Sequence, residues 1–154
     1  MAAGGITFRD AELDDLPVIV ALLADDHLGR AREDLGHPLD PAYIAAFAAL
    51  EADANQRLIV AEISGAVVGT MQLSFLPGIS RKGAWRCLIE AVRIEAARRG
   101  TGLGAVMIAW AVEQCRARGC HKVQLTTDKS RVDAHRFYER LGFVQSHFGY
   151  KLGL

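Results

Sequence analysis

Apolar residues recur along the chain in two rhythms, and the switches between them lay out the elements. Ile6-Thr7-Phe8-Arg9 alternates, which predicts a short first strand. Asp10, or Asp14 with Asp15, can cap the next helix, which tolerates Pro17 in its first turn and carries Leu16, Ile19, Val20 and Leu23 as its apolar stripe. Residues 25–41 turn polar around Gly29, Gly36 and Pro38, so a loop or a broken helix is expected there. Tyr43, Phe47 and Leu50 then stand near helical spacing within a second helix over 42–52. Strands are predicted over 58–63 and 66–75, joined by the two-residue hairpin signal Ser64-Gly65. Pro77-Gly78 breaks the chain before another strand over 85–94. Leu103, Val106, Met107, Trp110 and Ala111 form one face of a long helix ending near Gly119. A strand over 123–127, a helix over 131–141 stopped by Gly142, and a last strand over 143–152 complete a mixed α/β order around one sheet.

Length and composition narrow the class further. The 154 residues suit a single domain, 1–154, with residues 1–5 expected as a loose tail. No apolar run approaches the roughly 20 residues of a membrane-spanning helix, and the first residues lack the features of a secretory leader. Eighteen basic residues balance eighteen acidic ones, so neither a general nucleic-acid binder nor a membrane-surface binder is expected, although one local basic site remains compatible. Cys87, Cys115 and Cys120 are odd in number and form no CxxC pair. They read as small apolar filler in a reducing cytoplasm, not as a disulfide framework or a zinc site. The five histidines show no ligand spacing, and no metal is expected.

The most informative stretch is Arg98-Arg99-Gly100-Thr101-Gly102-Leu103-Gly104, between the strand ending at Ile94 and the long helix. A helix N-terminus offers unpaired N–H groups and partial positive charge, and so receives phosphate. Glycine costs about 0.5–1 kcal/mol in a helix, so three at alternate positions need a reason. Together with Arg98 and Arg99 they describe a pyrophosphate site. Gly100-x-Gly102-x-x-Ala105 also matches a dinucleotide-binding fingerprint formally. Two facts reject that reading. Five residues, 95–99, separate the strand from the first glycine, and Gln124 stands where the ribose-binding acid belongs.

Arg99-Gly100-Thr101-Gly102-Leu103-Gly104 resembles the Q/R-x-x-G-x-G/A motif of the GNAT acetyltransferases. Phe137-Tyr138-Glu139-Arg140-Leu141-Gly142-Phe143 resembles that family's C-terminal FYExLGF segment, in the right order and at the expected distance. Residues 133–154 are also similar to the aminoalkylphosphonate N-acetyltransferases. The resemblance implies a GNAT fold, a twisted mixed sheet splayed where the cosubstrate enters and flanked by helices. It implies acetyl-CoA as cosubstrate, a small-molecule or peptide amine as acceptor, and a homodimer from family habit. The turn at Arg99, Gly100, Thr101, Gly102, Leu103 and Gly104 would hold the pyrophosphate, and the backbone of Val92, Arg93 and Ile94 the pantetheine arm. An asparagine that many relatives place at Ala134 or Arg131 is missing, leaving Asp128, Ser130 and Arg131 as candidates for its role. A non-catalytic acyl-CoA-binding module of the same fold is the alternative.

An amine attacks a thioester only as the free base, and deprotonating a lysine-like amine at pH 7 costs about 4.6 kcal/mol. Glu90 is the candidate base. Strict alternation would place it on the same strand face as Val92 and Ile94, as a carboxylate in an otherwise apolar buried strand. An ion pair with Arg86 or Arg93 is the other reading of Glu90. Tyr138 matches the family's general acid, which protonates the departing thiolate; Ala134, Phe137 and Leu141 form the core-facing stripe beside it. Arg81, Lys82 and Arg86 follow the Pro77-Gly78 break, and water rather than an anionic acceptor is their expected partner.

Overall fold

The computed structural model describes residues 5–154, so the expected tail lies outside the described residues except for Gly5, which is exposed. The chain up to Gln124 forms one compact unit, and Leu125–Leu154 forms a second. The elements are β1 (Ile6–Asp10), α1 (Leu16–Ala24), α2 (Pro41–Ala52), β2 (Gln56–Ile63), β3 (Ala66–Leu76), β4 (Arg86–Ile94), α3 (Leu103–Ala117), β5 (Lys122–Leu125) and α4 (Val132–Arg140). Their sheet has the order β1-β2-β3-β4-β5, and the pairs from β1 to β4 are antiparallel.

Local chemistry accounts for the boundaries. Ser64 and Gly65 take φ of 53° and 77°, as the tight hairpin between β2 and β3 requires. The Asp40 carboxylate accepts from the Ala42 N–H at 2.8 Å and caps α2, whose first residue is Pro41. Pro17 sits in the first turn of α1, as expected. Asp15 supplies no side-chain cap there; its carboxylate accepts from the Glu12 N–H and from Arg9 instead.

Strand register assigns the two faces of the sheet. Gly69, Met71, Leu73 and Phe75 of β3 share a face with Cys87, Ile89 and Ile94 of β4. Helix α3 covers that face. A Cβ placed on Gly69 would lie 3.0 Å from the Met107 sulfur, so glycine is what lets the helix come this close. Phe8 stacks on Trp110 at 4.9 Å on the same side. On the opposite face lies α1, with Leu16, Ile19 and Val20 buried, and Asp26 just beyond it pairs with Arg93 at 3.2 Å. Helix α2 packs beside α1, and the two share a cavity lined by Leu16, Pro17, Pro38 and Ile44.

Alternation in β4 fails at one place. Glu90 pairs with Gln72 and Arg93 pairs with Thr70, so Ala91 and Val92 together oppose Met71. This is a two-against-one bulge, and Ala91 takes φ of 52° within it. The extra residue shifts the phase by one. Glu90 therefore shares a face with Arg93 and not with Val92 and Ile94, which corrects the expectation from strict alternation. Glu90 is also exposed, where a buried central-strand position was expected.

The second unit departs from the expected pattern at its end. Helix α4 stops as predicted, with Gly142 at φ of 89°. Residues 143–152 form no strand, and Val144, Phe148, Tyr150 and Leu152 are each more than 80% exposed. A strand needs a ladder partner for its N–H and C=O groups. Apart from Leu125, this unit contains one helix and no strand that could provide one. Among the described residues α4 buries no side chain, and Leu141 is exposed rather than part of a core-facing stripe.

Candidate functional site

The glycine turn has the geometry that its sequence demanded. Gly100 and Gly102 adopt φ of 75° and 90°, and no atom lies within 4 Å of a Cβ built on either. Conformation, not crowding, requires glycine here. Gly102 is the N-cap of α3 and no side chain caps the helix, so the turn presents open space at Gly100 and Gly102, while Leu103 is buried and anchors the helix start. The Thr101 hydroxyl donates to the Arg98 carbonyl at 2.7 Å and ties the turn to itself.

The arginines beside the turn are engaged by the protein. Arg99 donates through Nε to the Ile94 carbonyl at 3.1 Å, and through Nη2 to the Asp25 carboxylate at 2.9 Å and the Asp25 carbonyl at 2.7 Å. It fastens the loop after α1 to the end of β4. Arg98 reaches the Glu95 carboxylate at 3.2 Å. The backbone carbonyls expected to face pantetheine are partly occupied, since Val92 accepts from the Arg93 guanidinium at 2.9 Å and Ile94 from Arg99. Beside this fastening, a cavity of about 570 Å³ opens between α1, the following loop and the strand ends, lined by Leu22, Asp25, Arg30, Glu33, Val67 and Glu95.

Glu90 lies in a polar strip that sequence reasoning missed. On the α1 side of the sheet, β3 presents Thr70, Gln72 and Ser74, and β4 presents Arg86, Leu88 and Glu90 in register with them. Ser74 donates to the Gln56 side-chain oxygen at 2.7 Å, and Gln72 donates to the same oxygen at 3.1 Å. A central strand between helical layers is ordinarily apolar on both faces. The signal was available: Thr70, Gln72 and Ser74 recur at every second position of an otherwise apolar run. Glu90 makes no hydrogen bond or ion pair among the described residues, and Arg93 pairs with Asp26 instead. The ion-pair reading of Glu90 is therefore not realised.

In the second unit, Tyr138 meets Phe137 edge-on at 5.0 Å and Phe143 at 5.8 Å. Its carbonyl accepts from the Leu141 and Phe143 N–H groups, which fixes the turn that ends α4. Ser130 donates its hydroxyl and its backbone N–H to Asp128, at 2.7 and 2.9 Å. Ser130 and Asp128 thus form one local turn ahead of α4, and the His135 ring nitrogen lies 2.9 Å from the Asp128 carbonyl.

A bulged central strand, a left-handed glycine turn and a long helix that no side chain caps follow one another in this α/β unit, and an uncapped helix start is a backbone setting that suits an anion. The chain belongs to the Acetyltransferase (GNAT) family, whose model matches residues 20–143. It is 33% identical to an aminoalkylphosphonate N-acetyltransferase of Salmonella typhimurium, over 95% of this chain and 90% of that one. It is 30% identical to a glucosamine 6-phosphate N-acetyltransferase of Trypanosoma brucei brucei, over 84% and 91%. Among solved structures, a protein of Bacillus halodurans C-125 described as a transcriptional regulator matches with a TM-score of 0.94 and 47% identity, over 97% of this chain and all of that one.

Proposed function

We propose that the chain is a single-domain N-acetyltransferase that moves the acetyl group of acetyl-CoA directly to the primary amine of a small molecule bearing a phosphonate or phosphate group. The turn at residues 99–104 carries the reading: two left-handed glycines, six residues and more beyond the end of a bulged strand, lead into a helix that no side chain caps. Such a backbone suits a diphosphate, because the first N–H groups of a helix lack intrahelical partners and no Cβ intrudes at Gly100 or Gly102. The bulge takes Val92 out of regular pairing with β3, which suits an extended pantetheine arm laid along the strand. The acceptor class is supported by the relatives, whose named substrates join an amine to a phosphorus oxyanion.

In this mechanism the amine nitrogen forms a bond to the thioester carbon and the carbon–sulfur bond breaks. Glu90, exposed and unpaired among the described residues, takes the amine proton through water. Tyr138 is assigned the proton donor to the thiolate, from its place in the Phe137–Phe143 segment. The enzyme acts in the cytoplasm, which suits its three free thiols.

The decisive experiment is thiol release from acetyl-CoA with a panel of aminophosphonates, amino-sugar phosphates, polyamines and peptides. Release with the phosphorylated amines is expected. Tight CoA binding with no release from any amine would instead favour a non-catalytic module, and no heat with CoA in calorimetry would remove the reading altogether.

A further inference from the structure

We infer that Arg86 reads the anionic end of the acceptor while Glu90 serves its amine. The inference rests on the acetyl-transfer reading above and adds the residue that selects the substrate class. Three observations carry it.

The first is register. Leu76 pairs with Arg86, Ser74 with Leu88 and Gln72 with Glu90, so Arg86 and Glu90 project from the same face of one strand, two alternations apart. Four residues of strand span about 13 Å between Cα atoms, a gap that the two long side chains can close to the length of a small phosphorylated amine when Arg86 swings from Gly78 toward Glu90. Leu88 stands between them on β4, and the polar side chains of Gln72 and Ser74 flank it on β3.

The second is the state of the guanidinium. Arg9, Arg57, Arg93, Arg98, Arg99, Arg116 and Arg136 all pair with a carboxylate. Arg86 makes no ion pair or hydrogen bond among the described residues, and it is half-buried where Arg30, Arg32, Arg81 and Arg140, which also lack such partners, are exposed. Partial burial of an unpaired cation works against stability. Its planar fork of donors matches the oxygens of a phosphonate or phosphate.

The third is its mounting. The guanidinium lies against Gly78, where Nη1 would be 3.8 Å from a Cβ. The connection above it closes through Arg81, Lys82 and Gly83, all at φ between 55° and 75°. Two non-glycine residues in that region signal a loop shape held against strain. Arg81 and Lys82 themselves face water, as expected from sequence, and Arg86 is the member of the trio that is half-buried.

The test compares the protein with Arg86→Gln and Arg86→Lys, using 2-aminoethylphosphonate and ethanolamine, an amine of similar size that lacks the phosphonate. The preference for the phosphonate, as a ratio of kcat/KM, should fall roughly ten- to a hundredfold in Arg86→Gln, the range of one charged hydrogen-bonding partner. The loss should appear in KM, and Arg86→Lys should recover part of it. An unchanged preference, or equal losses with both amines, overturns the inference. Titration calorimetry with methylphosphonate separates the two readings. Methylphosphonate binding that depends on Arg86, without turnover of any amine, leaves the anion site standing and removes the acetyl-transfer reading. Methylphosphonate binding that ignores Arg86 removes the anion site, whatever the turnover.

Discussion

The proposed mechanism makes Glu90 the base and Tyr138 the acid, and each assignment has its own signature. Replacing Glu90 with Gln removes the acceptor for the amine proton, so kcat/KM should fall steeply at neutral pH. The loss should shrink toward pH 10, where a lysine-like amine begins to lose its proton unaided. A pH–rate profile with equal loss at every pH would make Glu90 structural. Tyr138→Phe keeps the ring that packs on Phe137 and Phe143 and deletes only the hydroxyl. Affinity for CoA should stay within about twofold while kcat falls by roughly 10²-fold, the usual scale of general-acid help; unchanged turnover excludes the role. At this scale the glycine turn was legible, because a left-handed φ is a demand that one residue makes on its own. The setting of Arg99 was not, because its partner Asp25 lies 74 residues away.

Most elements could be read from periodicity, and the errors have a common cause. The hairpin and the length of α3 follow from neighbouring residues, and the structure agrees with each. The phase of β4 is decided by its pairing with β3, and nothing around Ala91 announces a bulge, since the left-handed position is held by alanine rather than glycine. The last strand failed for the same kind of reason, since alternation in 143–152 prescribes a face but supplies no partner. The bulge is testable through stability. Ala91→Gly relieves a left-handed penalty of about 1–2 kcal/mol while adding about 0.5–1 kcal/mol of chain entropy. Denaturant melts should therefore show a neutral to slightly stabilised protein, where the same change in a regular strand is destabilising.

Across the first unit, acid–base pairs bind β1 to β2 and to the turn before α1. Arg9 of β1 grips Asp15 at 2.6 Å and Glu62 of β2 at 2.7 Å, and Arg57 grips Asp10 at 2.8 Å while lying over the Trp110 ring. The hydrogen-bonded Arg9 guanidinium holds the Asp15 carboxyl below its ordinary range, and Arg57 does the same for Asp10. A depressed carboxyl contributes stability above its unfolded value, and loses it as pH falls through the folded one. Asp15→Asn should thus lower Tm by a constant amount above about pH 4. That difference should close on further acidification, as the wild-type carboxyl takes up its proton. A gap that stayed open down to pH 2 would mean that the pairing with Arg9 is not its source.

The odd residue in β4 has a consequence for how folding and chemistry are coupled. Excising the codon for Ala91 would leave Glu90 opposite Gln72 and Arg93 opposite Thr70, with Val92 taking the place across from Met71. Every side chain would keep its layer, and the strand would merely become straight. Such a protein should fold with its core intact, and if the bulge holds the cosubstrate as proposed, calorimetry with CoA should lose its heat while the denaturant melt stays in place.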